Sequence, residues 1–164
     1  MKQIDRALLD SLTKQAMESP RHRAHFNLHP ELNDPVQRLC IAIEPGSYVR
    51  PHRHSDPETG EVLTALRGSL AILLFDERGK VLERTVIDNN GMIAAVEFPR
   101  NTWHTLVSLE SGTVFFEVKQ GPYKPIAEIN SASWAPAEGA PEAAHFLNWF
   151  RNARAGDVPP VIAS

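Results

Sequence analysis

Two histidines stand at alternate positions, His52 and His54, at the end of the run Gly46-Ser-Tyr-Val-Arg-Pro-His-Arg-His. Successive side chains of an extended strand face opposite ways, so positions i and i+2 share a side. On a helix the same spacing would splay the two rings apart. His-x-His on a strand is therefore a bidentate clamp for a metal ion. Glu61 opens the next apolar segment and can add an oxygen ligand, and a third imidazole, His104, closes the distant run Pro99-Arg-Asn-Thr-Trp-His. Three imidazoles and a carboxylate suit Fe, Mn, Ni, Co, Cu or Zn better than Mg or Ca. Such a set leaves one or two positions open on a five- or six-coordinate ion. There a water or a substrate oxygen can be polarised by the metal as a Lewis acid. The expected cofactor is one divalent transition metal ion, Fe, Mn, Ni, Co or Zn, held by His52, His54, Glu61 and His104.

These residues need strands to hold them, and the chain supplies many short ones. Segments 36–44, 48–50, 62–67, 69–75, 80–87, 92–98, 103–109 and 113–119 are apolar or alternating. Between them fall turn residues such as Pro45-Gly46, Asp76-Glu77-Arg78-Gly79, Asp88-Asn89-Asn90-Gly91 and Ser111-Gly112. Regular short strands with no helix between them predict a sandwich or barrel. Residues 21–29 alternate too: Arg21, Arg23, His25, Asn27 and His29 share one side, and His22, Ala24, Phe26 and Leu28 the other. Residues 4–18 repeat Ile4, Leu8, Leu12 and Ala16 with Leu9 alongside, which predicts a helix capped by Asp5 and ended at Ser19-Pro20. A second helix is expected over 141–154, with Pro141 in its first turn and Ala143, Phe146, Leu147 and Phe150 as its apolar stripe. The last residues, 158–164, read as a loose tail.

The two histidine segments resemble the two motifs of the cupin superfamily, and the wording around them is similar to the WbuC-type cupin-fold metalloproteins. The phrases that carry this are Pro35-Val-Gln-Arg-Leu, the run 46–54, Leu66-Arg-Gly-Ser-Leu, Leu74-Phe-Asp, Pro99-Arg-Asn-Thr-Trp-His-Thr and Phe116-Glu-Val-Lys-Gln-Gly-Pro-Tyr. They cover about residues 1–125. The resemblance implies a mainly all-β fold, a cupin-type double-stranded β-helix (jelly-roll) barrel, here with an N-terminal and a C-terminal helix. It also implies a bacterial protein met in surface-polysaccharide biosynthesis. The chain departs from the general pattern in three places. The usual gap after His54 would select Glu58 as the acidic ligand, whereas Glu61 stands directly before a strand at the right distance from Gly68. A ligand fixed by a strand is better placed than one on a turn, so Glu61 is the expected ligand and Glu58 the alternative. Asn101 replaces a glycine, and asparagine tolerates the left-handed backbone a turn there needs. Ser108 stands where an asparagine is usual.

The remaining sequence bounds the function. A net charge of −3 gives no electrostatic footprint for nucleic acid or a membrane surface. One cysteine, Cys40, excludes an internal disulfide framework and fits a reducing cytosol, and the N-terminus lacks the apolar run of a signal peptide. The expected location is cytoplasmic, with no nucleic-acid or membrane partner and a homodimer possible. The expected organisation is a barrel domain over 1–125, including the N-terminal helix and strand, and an extension over 126–164 with one helix. Arg23, His25, Asn27 and His29, with Arg21, form either a candidate polar wall for an anionic sugar or a solvated strand face; Tyr48 shares the histidine side if its strand runs regularly through Pro51, and there it either contacts substrate or packs. No residue beyond the ligands is legible as a general acid or base. The expected function is a metal-dependent isomerase or epimerase, hydrolase or oxygenase acting on a small polar molecule such as a sugar derivative. The alternative is a non-catalytic metal-dependent binding or sensing protein.

Overall fold

In the computed structural model, which describes residues 1–54 and 60–161, the alternating segments form two antiparallel sheets face to face. Asp5 starts the first helix, α1 (Arg6–Glu18), its carboxylate accepting the Leu8 amide at 2.9 Å. Leu9, Leu12 and Ala16 are its buried stripe, while Ile4 stays at the surface. The strands are β1 (Arg23–Asn27), β2 (Val36–Ile43), β3 (Glu61–Arg67), β4 (Ser69–Phe75), β5 (Val81–Asp88), β6 (Ala95–Phe98), β7 (Trp103–Ser108) and β8 (Thr113–Gln120). One sheet has the order β1-β2-β8-β3-β6, the other β5-β4-β7.

The pleat sorts the side chains into three apolar layers. Between the sheets lie Ile43, Leu63, Leu70, Ile72, Ile87, Phe98 and Phe115. Outside the five-stranded sheet, α1 packs on Cys40, Ala42 and Val114. Outside the three-stranded sheet, the second helix, α2 (Ala143–Asn152), sets Phe146, Leu147 and Phe150 against Leu73, Phe75 and Val107. Its stripe is the expected one, but Glu142 is the N-cap, so Pro141 lies outside the first turn.

The expected strand over 48–50 does not form. Pro51 has no N–H for a ladder, and the chain meets its neighbours only through isolated bridges at His52, to His104 on one side and Ser131 on the other. The segment leading to α2 is thus stitched beside the three-stranded sheet. Trp134 packs flat on the turn at Gly79, where an added Cβ would lie 2.6 Å from the indole; glycine alone leaves that space. Beyond α2 the chain returns to β5, with Val81 donating to Asp157 O at 2.9 Å and Gly156 donating to Val81 O at 2.8 Å. Residues 156–157 are therefore pinned, and Val158 and Val161 are exposed.

Candidate metal centre

β7 carries His104 and Trp103 on opposite faces. His104 points inward, 3% exposed and 4.5 Å from the Phe98 ring, whereas Trp103 joins the outer layer. The His52–His104 bridge sets Arg53 opposite Trp103. There the Arg53 guanidinium lies 4.5 Å over the indole, and Glu77 accepts from both, from Arg53 at 3.0 Å and from the Trp103 indole N–H at 2.9 Å. This clamp holds the backs of the two histidine-bearing segments together. Asn101 has φ +58°, the left-handed turn expected of it, and donates to His54 O at 3.0 Å.

Inside, the imidazoles of His52, His54 and His104 present nitrogen atoms within 4.8 Å of one another. His52 Nδ1 lies 3.0 Å from Arg50 O, and His104 Nδ1 lies 2.9 Å from Thr102 O. Each Nδ1–H is thereby engaged, and each Nε2 lone pair is left facing the cluster. Glu61 starts β3 opposite Phe98 of β6, with its Oε2 3.3 Å from His54 Nε2 and 3.4 Å from His104 Nε2. His54 Nε2 and Glu61 Oε2 are buried and make no hydrogen bond. Ligand atoms about 2.0–2.1 Å from one ion in a tetrahedral arrangement lie roughly 3.3–3.4 Å apart. The donor set, with Glu61 at that spacing from His54 and His104, fits a transition metal. Glu58 lies outside the described residues.

Electrostatics agree with neutral, ligating rings. Burial pushes His52 down to about 3, helped by the neighbouring His104 and His54 rings, and burial likewise lowers His104. Burial alone would raise Glu61, but His54, Lys119 and His104 outweigh it and hold the carboxyl well below the usual range.

Two residues of this pocket were not foreseen. On β8, Glu117 and Lys119 share the inward face with Thr113 and Phe115. Lys119 Nζ lies 2.6 Å from Glu117 and 4.0 Å from Glu61. Burial and the Glu61 carboxylate raise Glu117 to about 8, with Lys119 pulling the other way. The signal was the parity with buried Phe115, on a strand paired along both edges.

The β1 candidates are not brought to this cluster. β1 is three strands from β3, about 14 Å at ordinary strand spacing, and its register puts Arg23 level with Ile43 and Thr113, far from Glu61. Arg23 is engaged by Ser47 Oγ, Tyr48 O and Glu138, and Arg21 also binds Glu138. His25 is exposed, and Asn27 is half-buried. His29 is buried, its Nδ1 3.0 Å from the backbone N and O of Arg38. Tyr48 does not share the histidine side. It stacks on Phe150 in the outer layer and donates to Pro136 O at 2.8 Å, because the alternation from 48 to 52 is broken before Pro51.

A cleft between β5 and β6, lined by Ile72, Leu74, Thr85, Val96 and Phe98, reaches the inner layer from the side. Among the described residues no helix is long and apolar enough to cross a membrane.

No curated protein matches the chain. Among solved structures, oxalate oxidase in complex with the substrate analogue glycolate aligns at 19% identity and TM-score 0.51, over 66% of this chain and 56% of that one. Recombinant oxalate oxidase in complex with glycolate aligns over the same shares at 19% identity and TM-score 0.50. KdgF from Halomonas sp. aligns at 17% identity and TM-score 0.49, over 65% of this chain and 84% of that one. The chain thus spans little more than half the length of the oxalate oxidase chains. That likeness, with the two facing antiparallel sheets, establishes the cupin β-barrel fold. A family model described as a domain of unknown function, DUF6016, matches residues 4–87, and the chain belongs to that family.

Proposed function

We propose that this protein is a metal-dependent cupin that holds one divalent transition metal ion on His52, His54, His104 and Glu61. We further propose that it acts on a small polar molecule, a sugar or sugar derivative of bacterial surface-polysaccharide metabolism, in the cytoplasm, as its resemblance to the WbuC-type proteins implies. The observation that carries the metal reading is the buried, unbonded pair His54 Nε2 and Glu61 Oε2, with His104 Nε2 at the same separation. A buried polar atom without a partner costs about 1–3 kcal/mol, and one ion at that point satisfies them together. The ion would be Fe, Mn, Ni, Co or Zn; when bound it supplies Lewis acidity toward a substrate oxygen.

The chain's own residues define what can sit there. Phe98 and the inner apolar layer limit the space on one side. Among the described residues Lys119 is a cation that faces the cluster, so an anionic group would be met by Lys119 and the ion rather than by β1. Glu117, buried beside Glu61 and paired with Lys119 at 2.6 Å, is a carboxyl placed to exchange a proton next to the ligands. Such a group favours an enzyme over a protein that only binds.

The test is metal analysis of the protein purified from its own host, joined to a thermal-shift screen of sugar phosphates and sugar nucleotides. About one transition-metal ion per chain is expected, and a His52→Ala/His104→Ala chain should be empty. Full metal content in that double variant overturns the reading. A screen with no stabilising sugar derivative removes the proposed substrate class.

A further inference from the structure

His52 is held along two edges. Along one, it exchanges backbone bonds of 3.0 and 2.9 Å with His104. Along the other runs the C-terminal segment: Arg53 N donates to Asn130 O at 3.0 Å and Ala132 N to Pro51 O at 2.8 Å. The Arg50 side chain fastens this second edge. Its Nε and Nη2 both donate to Ala132 O, at 3.2 and 2.9 Å, and its Nη1 donates to Glu128 Oε1 at 3.0 Å. Arg50 also offers its own carbonyl to Nδ1 of His52. One residue is thus tied to the C-terminal segment by its side chain and to a candidate ligand ring by its backbone.

We infer that Arg50 is a positioning residue through which segment 128–132 sets the orientation of the His52 ring and hence the metal affinity of the centre. The inference rests on the metal reading given above. His52 needs this help because no regular strand lies under it, whereas His104 is part of β7. Without the segment, Pro51 O and Arg53 N–H would lose their partners. The guanidinium fork places two N–H groups on one carbonyl, which a lysine ammonium cannot reproduce in the same geometry. Glu128 is 82% exposed, so its ion pair adds little, and the Ala132 carbonyl is the anchor that matters.

The test uses the full chain loaded with Zn(II) or Co(II). The dissociation constant is measured by competition with a chromophoric chelator and the Co(II) site by its visible bands. Arg50→Ala should weaken binding by about tenfold, the size of effect seen when a group orienting a metal ligand is lost, and should shift the Co(II) bands. Arg50→Lys should fall between Arg50→Ala and wild type, and Glu128→Ala should change affinity by about twofold or less. Wild-type affinity and Co(II) bands in a folded Arg50→Ala chain, whatever its thermal stability, overturn the inference. If Arg50→Ala does not fold, hydrogen exchange in the wild-type chain decides. Zn(II) should slow exchange at the Arg53 and Ala132 amides, because coupling between sites is reciprocal, and unchanged rates there overturn the inference. A wild-type chain that binds neither metal, or a His104→Ala chain that binds as tightly as wild type, instead defeats the metal reading and this inference with it.

Discussion

The two segments that bring imidazoles to the centre are built in opposite ways. His104 belongs to β7, six residues in register with β4, and its neighbours alternate cleanly between the inner and outer layers. His52 and His54 sit on a stretch with a proline, no regular ladder, and bonds to a part of the chain nearly eighty residues further on. A strand supplies direction through its own periodicity, whereas an irregular segment must import it from whatever packs beside it. The same chemistry thus rests on a local support at one end and a long-range one at the other.

The largest effect that tests this contrast is loss of a ligand. His104→Ala, His52→Ala and His54→Ala should each lower metal occupancy sharply, while His22→Ala and His145→Ala leave it unchanged; elemental analysis reads this. Retained metal in all three single variants would dissolve the comparison, since neither segment would then matter to the centre. Glu61→Gln should weaken binding because it removes the negative charge while keeping the shape, and Glu58→Gln should not. The reverse result would move the carboxylate ligand to Glu58.

Next in size is the support itself. Phe150→Ala empties a fully buried position that stacks on Tyr48, two residues before Arg50, and should cost about 3–5 kcal/mol in denaturant unfolding. A loss below about 1 kcal/mol would mean that α2 is dispensable to the layer it covers.

The metal-free chain should then lose stability in acid. Burial holds His52 down to about 3 and lowers His104 likewise in the folded state, so below the ordinary imidazole value the unfolded chain binds more protons. The stability they leave intact above about pH 6.5 is therefore lost as pH falls below it, with a limiting slope of about 1.4 kcal/mol per pH unit for each ring. Glu117, raised to about 8, works in the opposite direction over this range, so the check is the metal-free Glu117→Gln chain: its urea midpoint should fall from pH 7 to 5.5, and equal midpoints there would refute the prediction. The smallest effect is expected at the far end of the tail's attachment. Glu138 is held below its ordinary value by Arg21 and Arg23 against the opposing effect of burial, and being a third exposed it should contribute only about 0.5–1 kcal/mol when changed to Gln.

The sequence carried the centre further than it carried its surroundings. The three imidazoles that come together were legible because residue type and spacing mark them, whereas Glu61 was preferred over Glu58 only for its place before a strand. The helix cap at Asp5, the left-handed Asn101 and the apolar stripe of α2 were legible because each is a local preference. Of the two readings of Tyr48 the packing one holds, because a parity argument lasts only while the strand is regular, and Pro51 ends that regularity. Arg23 read as part of a polar wall because its partner, Glu138, lies 115 residues away. Glu117 and Lys119 went unassigned because an acid and a base at i and i+2 look like a solvated face until pairing on both edges turns that face inward.

The helices that cover the two sheets also decide how the molecule can meet a copy of itself. With α1 over the larger sheet and α2 over the smaller, neither broad apolar face is on offer. What remains open is the margin of the sandwich. Among the described residues β1 pairs with β2 alone, at the end of the larger sheet, with Phe26 39% exposed. Contact through either sheet face would first have to displace a helix.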